Sequence, residues 1–411
     1  MALQRRKILA QALNLGFGTD TIPADTGGLL VGDKIGLHTF LPGVVVLESF
    51  GAVGDGQTDD TQAFADAIAA GDLVMGAGGK TYKITSQLDL SLEGQIIDLN
   101  GSAVKPVGIF DCFNVMADGV QIFDMDADAS GISGSVITNG TAVQQLLFEN
   151  VQIRNAGVFD AIKLKDVSTS WFRNVDITGH AGTAFHLYST ISGTPINGVY
   201  IEDCNFSEGL SPTAASVLIE GASGVFIEGC TFRNNNSGGT DLWLRSTGTA
   251  SVDGIAITRS YFKAPINQLG NAIYIGDPTS GSVPQDDIFI ENNVLETSKQ
   301  NIRLGLYTTG DVAVIGNTFL FVNGSPTDVI ALGSGVPYPR VAQSFGTFNV
   351  IQQNYGTISI SNTTGTSAAT WSAGNGLPTA TPANGSMYSR MDGAAGSSFY
   401  VYAGGVWTVI A

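Results

Sequence analysis

The chain has 411 residues, 53 of them glycine, and 19 basic against 36 acidic side chains give a net charge of −17. That balance excludes electrostatic nucleic-acid binding, 43% apolar residues exclude a chain disordered throughout, and no apolar run is long enough for a membrane-spanning helix, so membrane insertion is not expected. Few charges with much Gly, Ser, Thr and Asn suit a sheet-rich protein with many turns, and the three cysteines, Cys112, Cys204 and Cys230, form neither a disulfide framework nor a metal-ligand spacing.

In chain order, Arg5, Arg6 and Lys7 precede a short apolar stretch broken by Gln11 and Asn14, which reads as an anchoring arm or short amphipathic helix rather than a secretory signal. Within residues 48–71, Thr58 is a good N-cap with Asp59 and Asp60 in the first turn. Ala63, Phe64, Ala67 and Ile68 make one apolar stripe, and Gly71 ends the predicted helix. Such a helix covers the open end of whatever strand stack follows it.

A repeat then begins. FENVQI (148–153), FRNVDI (172–177), IEDCNF (201–206), IEGCTF (227–232), ITRSYF (257–262), IENNVL (290–295) and VIGNTF (314–319) align without gaps, preceded by the weaker IIDLNG (96–101) and IFDMDA (122–127). The third position, Asp98, Asp124, Asn150, Asn174, Asp203, Gly229, Arg259, Asn292 and Gly316, is Asn, Asp or Gly in all but Arg259, so it predicts a recurrent left-handed bend. Apolar residues alternate with period two on both sides of it, as in strands. A second strand family lies about ten residues after each bend: AIKLK (161–165), AFHLY (184–188), SVLIE (216–220), DLWLR (241–245), AIYIG (272–276), NIRLG (301–305) and VIALG (329–333). Coils of 24 to 33 residues with short strands and a fixed bend predict an all-β fold, a right-handed parallel β-helix with an N-terminal capping helix and a small C-terminal β element.

The segment FGAVGDGQTDDTQAF (50–64) resembles the opening motif of pectate-lyase-like β-helix proteins, bacteriophage tailspikes in particular, and with the repeat the resemblance spans about residues 44–360. The tail ANGSMYSRMDGAAGSSFYVYAGGVWTVI (383–410) is similar to short tail segments of phage and prophage structural proteins. The expected organisation is an N-terminal attachment arm over 1–43, an opening strand and capping helix over 44–72, the β-helix over 73–360, a Gly/Ser/Thr-rich linker over 361–380 and the C-terminal element over 381–411, with a hairpin turn at Gly404-Gly405.

Alternation in the second strand family sends Ala161, Ala184, Ser216, Asp241 and Ala272 outward in one column, Lys163, His186, Leu218, Trp243, Tyr274 and Arg303 in the next, and Lys165, Tyr188, Glu220 and Arg245 in a third. Aromatic rings stack on sugars, and acids act at glycosidic bonds. In β-helix polysaccharide enzymes this strand lines the groove, so the resemblance implies Asp241 and Glu220 as acid/base candidates and Trp243, Tyr274, His186, Arg245 and Arg303 as sugar contacts. The Asp241 and Glu220 backbones are ~14 Å apart by strand geometry, beyond the ~5–9.5 Å of paired glycosidase carboxylates. On the strand before the bend, Glu202 and Glu228 stand one rung apart, ~5 Å at the backbone, and like charges that close can form an acid/nucleophile pair. The outward aromatics of that strand, Trp171, Tyr200, Phe226 and Phe289, read as an interface. GHAG (179–182) and IRL (302–304) are similar to polygalacturonase motifs, but the order of the acidic residues departs from that family. No metal or cofactor is implied.

The resemblance therefore implies a virion tailspike, commonly a homotrimer, that recognises a bacterial surface polysaccharide, with the arm holding a phage tail or baseplate protein; whether it also cleaves the glycan, by glycoside hydrolysis or as a lyase, is left open by the residues. A non-catalytic virion fibre or adhesin is the alternative, and a secreted pectate-lyase-like enzyme a third.

Overall fold

The structure, a computed structural model, describes residues 43–190, 196–210, 214–233, 239–246, 250–263, 271–276, 285–297, 300–304, 312–321, 328–332, 340–342 and much of 358–410. The chain divides into two units, Met1–Pro42 and Gly43–Ala411. The predicted arm lies outside the described residues apart from Gly43.

The repeat is a parallel coil. Strands before and after each bend pair rung on rung with residues of the aligned segments directly opposite, such as Ile201 with Ile227 and Phe206 with Phe232. The second strand family forms a ten-stranded parallel sheet. Its members that matter here are β1 (Ile162–Lys165), β2 (Phe185–Tyr188), β3 (Ala215–Glu220), β4 (Thr240–Arg245), β5 (Asn271–Ile275) and β6 (Gln300–Leu304). The inward half of each alternation fills the tube: Phe148, Phe172, Phe185, Phe206, Phe232 and Phe262 are fully buried, and Phe232 stacks on Phe262 with ring centroids 4.5 Å apart.

The bend takes the expected backbone. Asp124, Asn150, Asn174, Asp203, Gly229, Arg259, Asn292 and Gly316 have φ between 49° and 66°. The first copy differs: the turn falls on Asn100 and Gly101 instead of Asp98, and the register slips between Asp98 and Ser102. Side chains bond along the column, Asn174 to Asn150 and Asn150 to Asp124, each at 2.7 Å. At Gly229 a Cβ would stand 2.4 Å from Oδ1 of Asp203, so glycine there answers a close approach as well as a left-handed φ. A second left-handed column, five residues before the first, runs through Gly119, Gln145, Thr169, Gly198, Gly224, Gly254 and Asp287. Its mixed composition hides it from the sequence.

Just inside the bend sits a buried polar column. Asn293 accepts the backbone N–H of Ser260 at 2.8 Å and donates to the carbonyl of Ile257 at 2.8 Å and to Oδ1 of Asn317 at 3.0 Å. Cys204 and Cys230 occupy the same column, both buried free thiols whose Sγ atoms lean on backbone carbonyls.

The helix α1 (Thr61–Ala70) buries Ala63, Phe64, Ala67 and Ile68, the predicted stripe. Its start corrects the sequence reading. Thr58 and Asp59 belong to a strand, Asp55–Asp59, and Asp60 is the N-cap. Thr58 is drawn away by Asp55, whose carboxylate accepts both its N–H and its hydroxyl. Asp60 is buried and binds the N–H groups of Val53 and Gly54 instead of those of its own helix. The opening motif is thus a self-satisfied knot in which aspartates tie loop to helix. At Gly71 the helix ends in extended backbone, where a Cβ would stand 2.8 Å from Val45.

At the C-terminus, strands Ile358–Ser359, Thr370–Gly374, Met387–Arg390, Phe399–Ala403 and Val406–Val409 form one small sheet, antiparallel except for the parallel pairing of the second with the third. The last two make the expected hairpin, with positive φ at Gly404 and Gly405. The second strand lies within the Gly/Ser/Thr-rich stretch 361–380.

Candidate functional site

The outward face of β1–β5 carries a chain of charges. The imidazole of His186 on β2 lies between two carboxylates: Nδ1 is 2.7 Å from Oδ2 of Asp160, in the loop before β1, and Nε2 is 2.6 Å from Oε2 of Glu220 at the end of β3. Glu220 also accepts Nε–H of Arg245, its register partner on β4, and Asp160 accepts the N–H of Thr183. Ionised carboxylates only accept, so both ring nitrogens must donate, and the imidazole is held as a cation. Burial would lower the His186 pKa, but the two carboxylates outweigh it and raise it above 6.5. Burial would likewise raise both acids, yet His186 holds Asp160 and Glu220 below their ordinary values, with Arg245 adding to the effect on Glu220. The row of acid, cation, acid and cation is charge-balanced, the condition for keeping such groups largely out of water.

Beside it, Trp243 stacks on Tyr274 at 5.3 Å with planes 17° apart. Arg245 lies over the Trp243 ring at 4.7 Å, and the indole N–H donates to the Gly276 carbonyl at 2.9 Å. Lys163 approaches the ring of Tyr188 at 5.6 Å. These contacts fix the orientation of each group before any ligand arrives.

The predicted residues separate. His186, Glu220, Arg245 and Trp243 are brought together, and the backbone of Arg303 on β6 pairs with Tyr274 on β5; the side chain of Arg303 lies outside the described residues. Asp241 is only 4% exposed and Tyr274 only 6%. The column expected to open outward at Ala161, Ala184, Ser216, Asp241 and Ala272 is buried throughout. Strand alternation fixes which side a residue faces but not what lies over that side. Glu202 and Glu228 are register partners as expected, yet each has its own cation, Arg173 at 2.7 Å and Arg259 respectively. Asp160 falls outside the strand columns because it stands in a loop; its position, immediately before a strand of the outward face, is the signal that marks it. His180 of GHAG is buried, with Nδ1 2.8 Å from the Gly182 carbonyl. Among the described residues no three His, Cys, Asp or Glu side chains converge as metal ligands, and no helix is long and apolar enough to cross a membrane.

A family model described as "Right handed beta helix region" matches residues 130–319. The chain has the right-handed parallel β-helix fold. Solved structures share the fold at low sequence identity. A mutant tailspike protein of E. coli bacteriophage HK620, in complex with pentasaccharide, matches with a TM-score of 0.51 and 14% identity over 83% of this chain and 71% of that one. The A-module of a mannuronan C-5 epimerase of Azotobacter vinelandii matches at 0.49 and 14% identity, over 72% and 95% of the two chains. PfbA, a surface adhesin of Streptococcus pneumoniae, matches at 0.41 and 12%, over 90% and 98%. No curated protein matches the sequence. The β-helix expected from the repeat and the opening motif is the one found, and it sets the ~4.8 Å rung spacing on which the site is built.

Proposed function

We propose that this β-helix protein is a tailspike-like virion component that binds a bacterial surface polysaccharide along the outward face of β1–β5, as a homotrimer held to a phage tail or baseplate protein through residues 1–43. The observation that carries the binding reading is the Asp160–His186–Glu220–Arg245 chain fixed beside Trp243. Arg245 has one N–H committed to Glu220, which leaves the rest of its guanidinium to donate to sugar oxygens. Lys163, Lys165 and Tyr188 on the neighbouring rungs extend the same face. Rungs that present groups at a short fixed interval suit a repeating glycan. The phage context is supported by the opening motif, by the tail segment and by a fold shared with a tailspike that binds a pentasaccharide.

At Glu220 and Asp160, recognition without cleavage is the better-supported form. A glycosidase acid needs a raised pKa, whereas Glu220 and Asp160 are both lowered. The imidazole also fills the space between those two carboxylates, where a glycosidic oxygen or water would have to sit.

The test is a binding and reducing-end assay on capsule and lipopolysaccharide preparations with the wild type, Arg245→Ala, Glu220→Gln and Asp241→Asn. Binding that falls at least tenfold in Arg245→Ala, with no reducing ends from any protein, is expected. Fragments released by the wild type and lost in Glu220→Gln or Asp241→Asn would replace recognition with depolymerisation. Binding unchanged in Arg245→Ala would remove the site from this face.

A further inference from the structure

The strands before the bend carry a second outward row, and one of its layers is missing. Trp171, Tyr200 and Phe226 are register partners on successive rungs. Their rings stack in parallel, Trp171 on Tyr200 at 5.5 Å and 6°, Tyr200 on Phe226 at 4.9 Å and 11°. The next position is Ala256, and the one after it is Phe289. Phe226 and Phe289 are 39% and 42% exposed, high for phenylalanine. Phe226 therefore has Tyr200 on one ring face and only the small Ala256 on the rung beyond. Two rungs separate the Phe226 and Phe289 backbones by about 9.6 Å. One six-membered ring placed over Ala256 would sit within the ~4.5–7 Å at which rings pack on aromatic faces.

The rim of this slot is polar. Two residues along the same strands, on the same face, lie Glu228, Thr258 and Glu291, again register partners and each partly exposed. Arg259 pairs with Glu228 at the edge. An aromatic side chain inserted from another protein would fill the slot but would bring no donor for the Glu291 carboxylate it desolvates, which is costly. A pyranose carries apolar C–H faces for the two phenylalanines and a girdle of hydroxyls for the rim. Two acids on the rim of a chain of net charge −17 disfavour an anionic sugar.

We infer that Phe226, Ala256 and Phe289 form a second carbohydrate subsite that takes one uncharged pyranose ring edge-in, with its hydroxyls toward Glu228, Thr258 and Glu291. This site lies on a different face from the β1–β5 site and stands or falls separately from it.

Ala256→Phe tests the inference, because it adds the missing layer to the stack and closes the slot. Phe289→Leu is the second variant, which removes one wall should the first fail to fold. The probes are methyl glucopyranosides, methyl galactopyranosides and a neutral oligosaccharide, observed by proton NMR. The wild type is expected to shift the sugar C–H protons upfield through the ring current. Binding should fall at least tenfold in Ala256→Phe and in Phe289→Leu, and persist in Ile109→Ser, a change at an exposed residue that belongs to neither site. Absence of any shift, or shifts that survive both slot variants, would overturn it. So would an oligomer that dissociates on Ala256→Phe in sedimentation, since the slot would then be filled by a neighbouring copy. Loss of binding in Arg245→Ala alone would speak for the first face and against this one.

Discussion

Nε2 of His186 lies 2.6 Å from Oε2 of Glu220, and each side chain is less than 15% exposed, at 12% and 13%. The two residues are 34 apart in sequence. They meet because Leu218, the register partner of His186, is two residues from Glu220 on the same side of β3. With Asp160 on the other imidazole nitrogen and Arg245 on the other carboxylate oxygen, the contact is the middle of a half-buried, charge-balanced chain.

This chain makes stability depend on pH in a defined sense. The His186 pKa is raised above its unfolded 6.5, so its contribution is complete below 6.5 and is lost as pH rises through the higher folded value. Asp160 and Glu220 are lowered from 3.8 and 4.5, so theirs is complete above those values and is lost as pH falls through the lower folded ones. The window is therefore between the carboxylate and imidazole ranges. The melting-temperature difference between wild type and His186→Gln should be largest near about pH 5.5 and should shrink toward about pH 9. A difference that grows with pH would contradict the cationic imidazole.

Truncating one partner should strand the other. Glu220→Ala leaves Arg245 without its carboxylate and leaves His186 with Asp160 as its remaining counter-ion. A loss of about 1–3 kcal/mol in urea unfolding is expected, less than for a fully buried pair because Arg245 keeps 31% of its side chain in water. The double change of Glu220→Ala with His186→Ala should lose less than the two single losses added together.

The bend column separates backbone from side-chain effects. Gly229→Ala places a Cβ 2.4 Å from Asp203 at φ 66°, and should cost about 1–3 kcal/mol. Arg259 holds φ 51° without the tolerance of Asn or Gly. Arg259→Asn should gain about 0.5–1 kcal/mol, because the strain removed exceeds an exposed ion pair with Glu228. Chemical denaturation of the three proteins gives both signs in one experiment.

The polar column inside the bend should be the most sensitive part of the coil. Asn293→Ala removes the acceptor of the Ser260 N–H and the donors to Ile257 and Asn317 at a site 1% exposed. Several buried groups left unpaired, at about 1–3 kcal/mol each, predict a loss near the whole stability of a domain. Expression as insoluble protein, or a melting point lowered by more than about 10 °C, is the expected readout.

Burial raises the thiol pKa of Cys112 and Cys204 well above the ordinary value. All three cysteines should stay unreactive to an aromatic disulfide reagent in the folded protein and react together after denaturation. A rapid reaction of Cys204 or Cys230 in the native state would place that rung at the end of a fraying coil.

The sequence by itself determined the coil. Its bend residues recur every 24 to 33 positions because only Asn, Asp and Gly turn the backbone left-handed cheaply, and its alternation assigns each strand residue to the tube or the outside. Rung-on-rung register follows from that repeat, and the helix stripe follows from its own 3.6-residue spacing. The tertiary structure decided what the period does not encode. Thr58 lost the helix cap because Asp55 competed for it. Asp241 is expected outward by parity but is only 4% exposed. Asp160, His186, Glu220 and Arg245 share one chain of bonds only because four coils stack in one register, and that meeting shifts the titration of Asp160, His186 and Glu220. Short-range pattern is written in residue type, whereas burial and pairing across rungs are sums over groups distant in sequence.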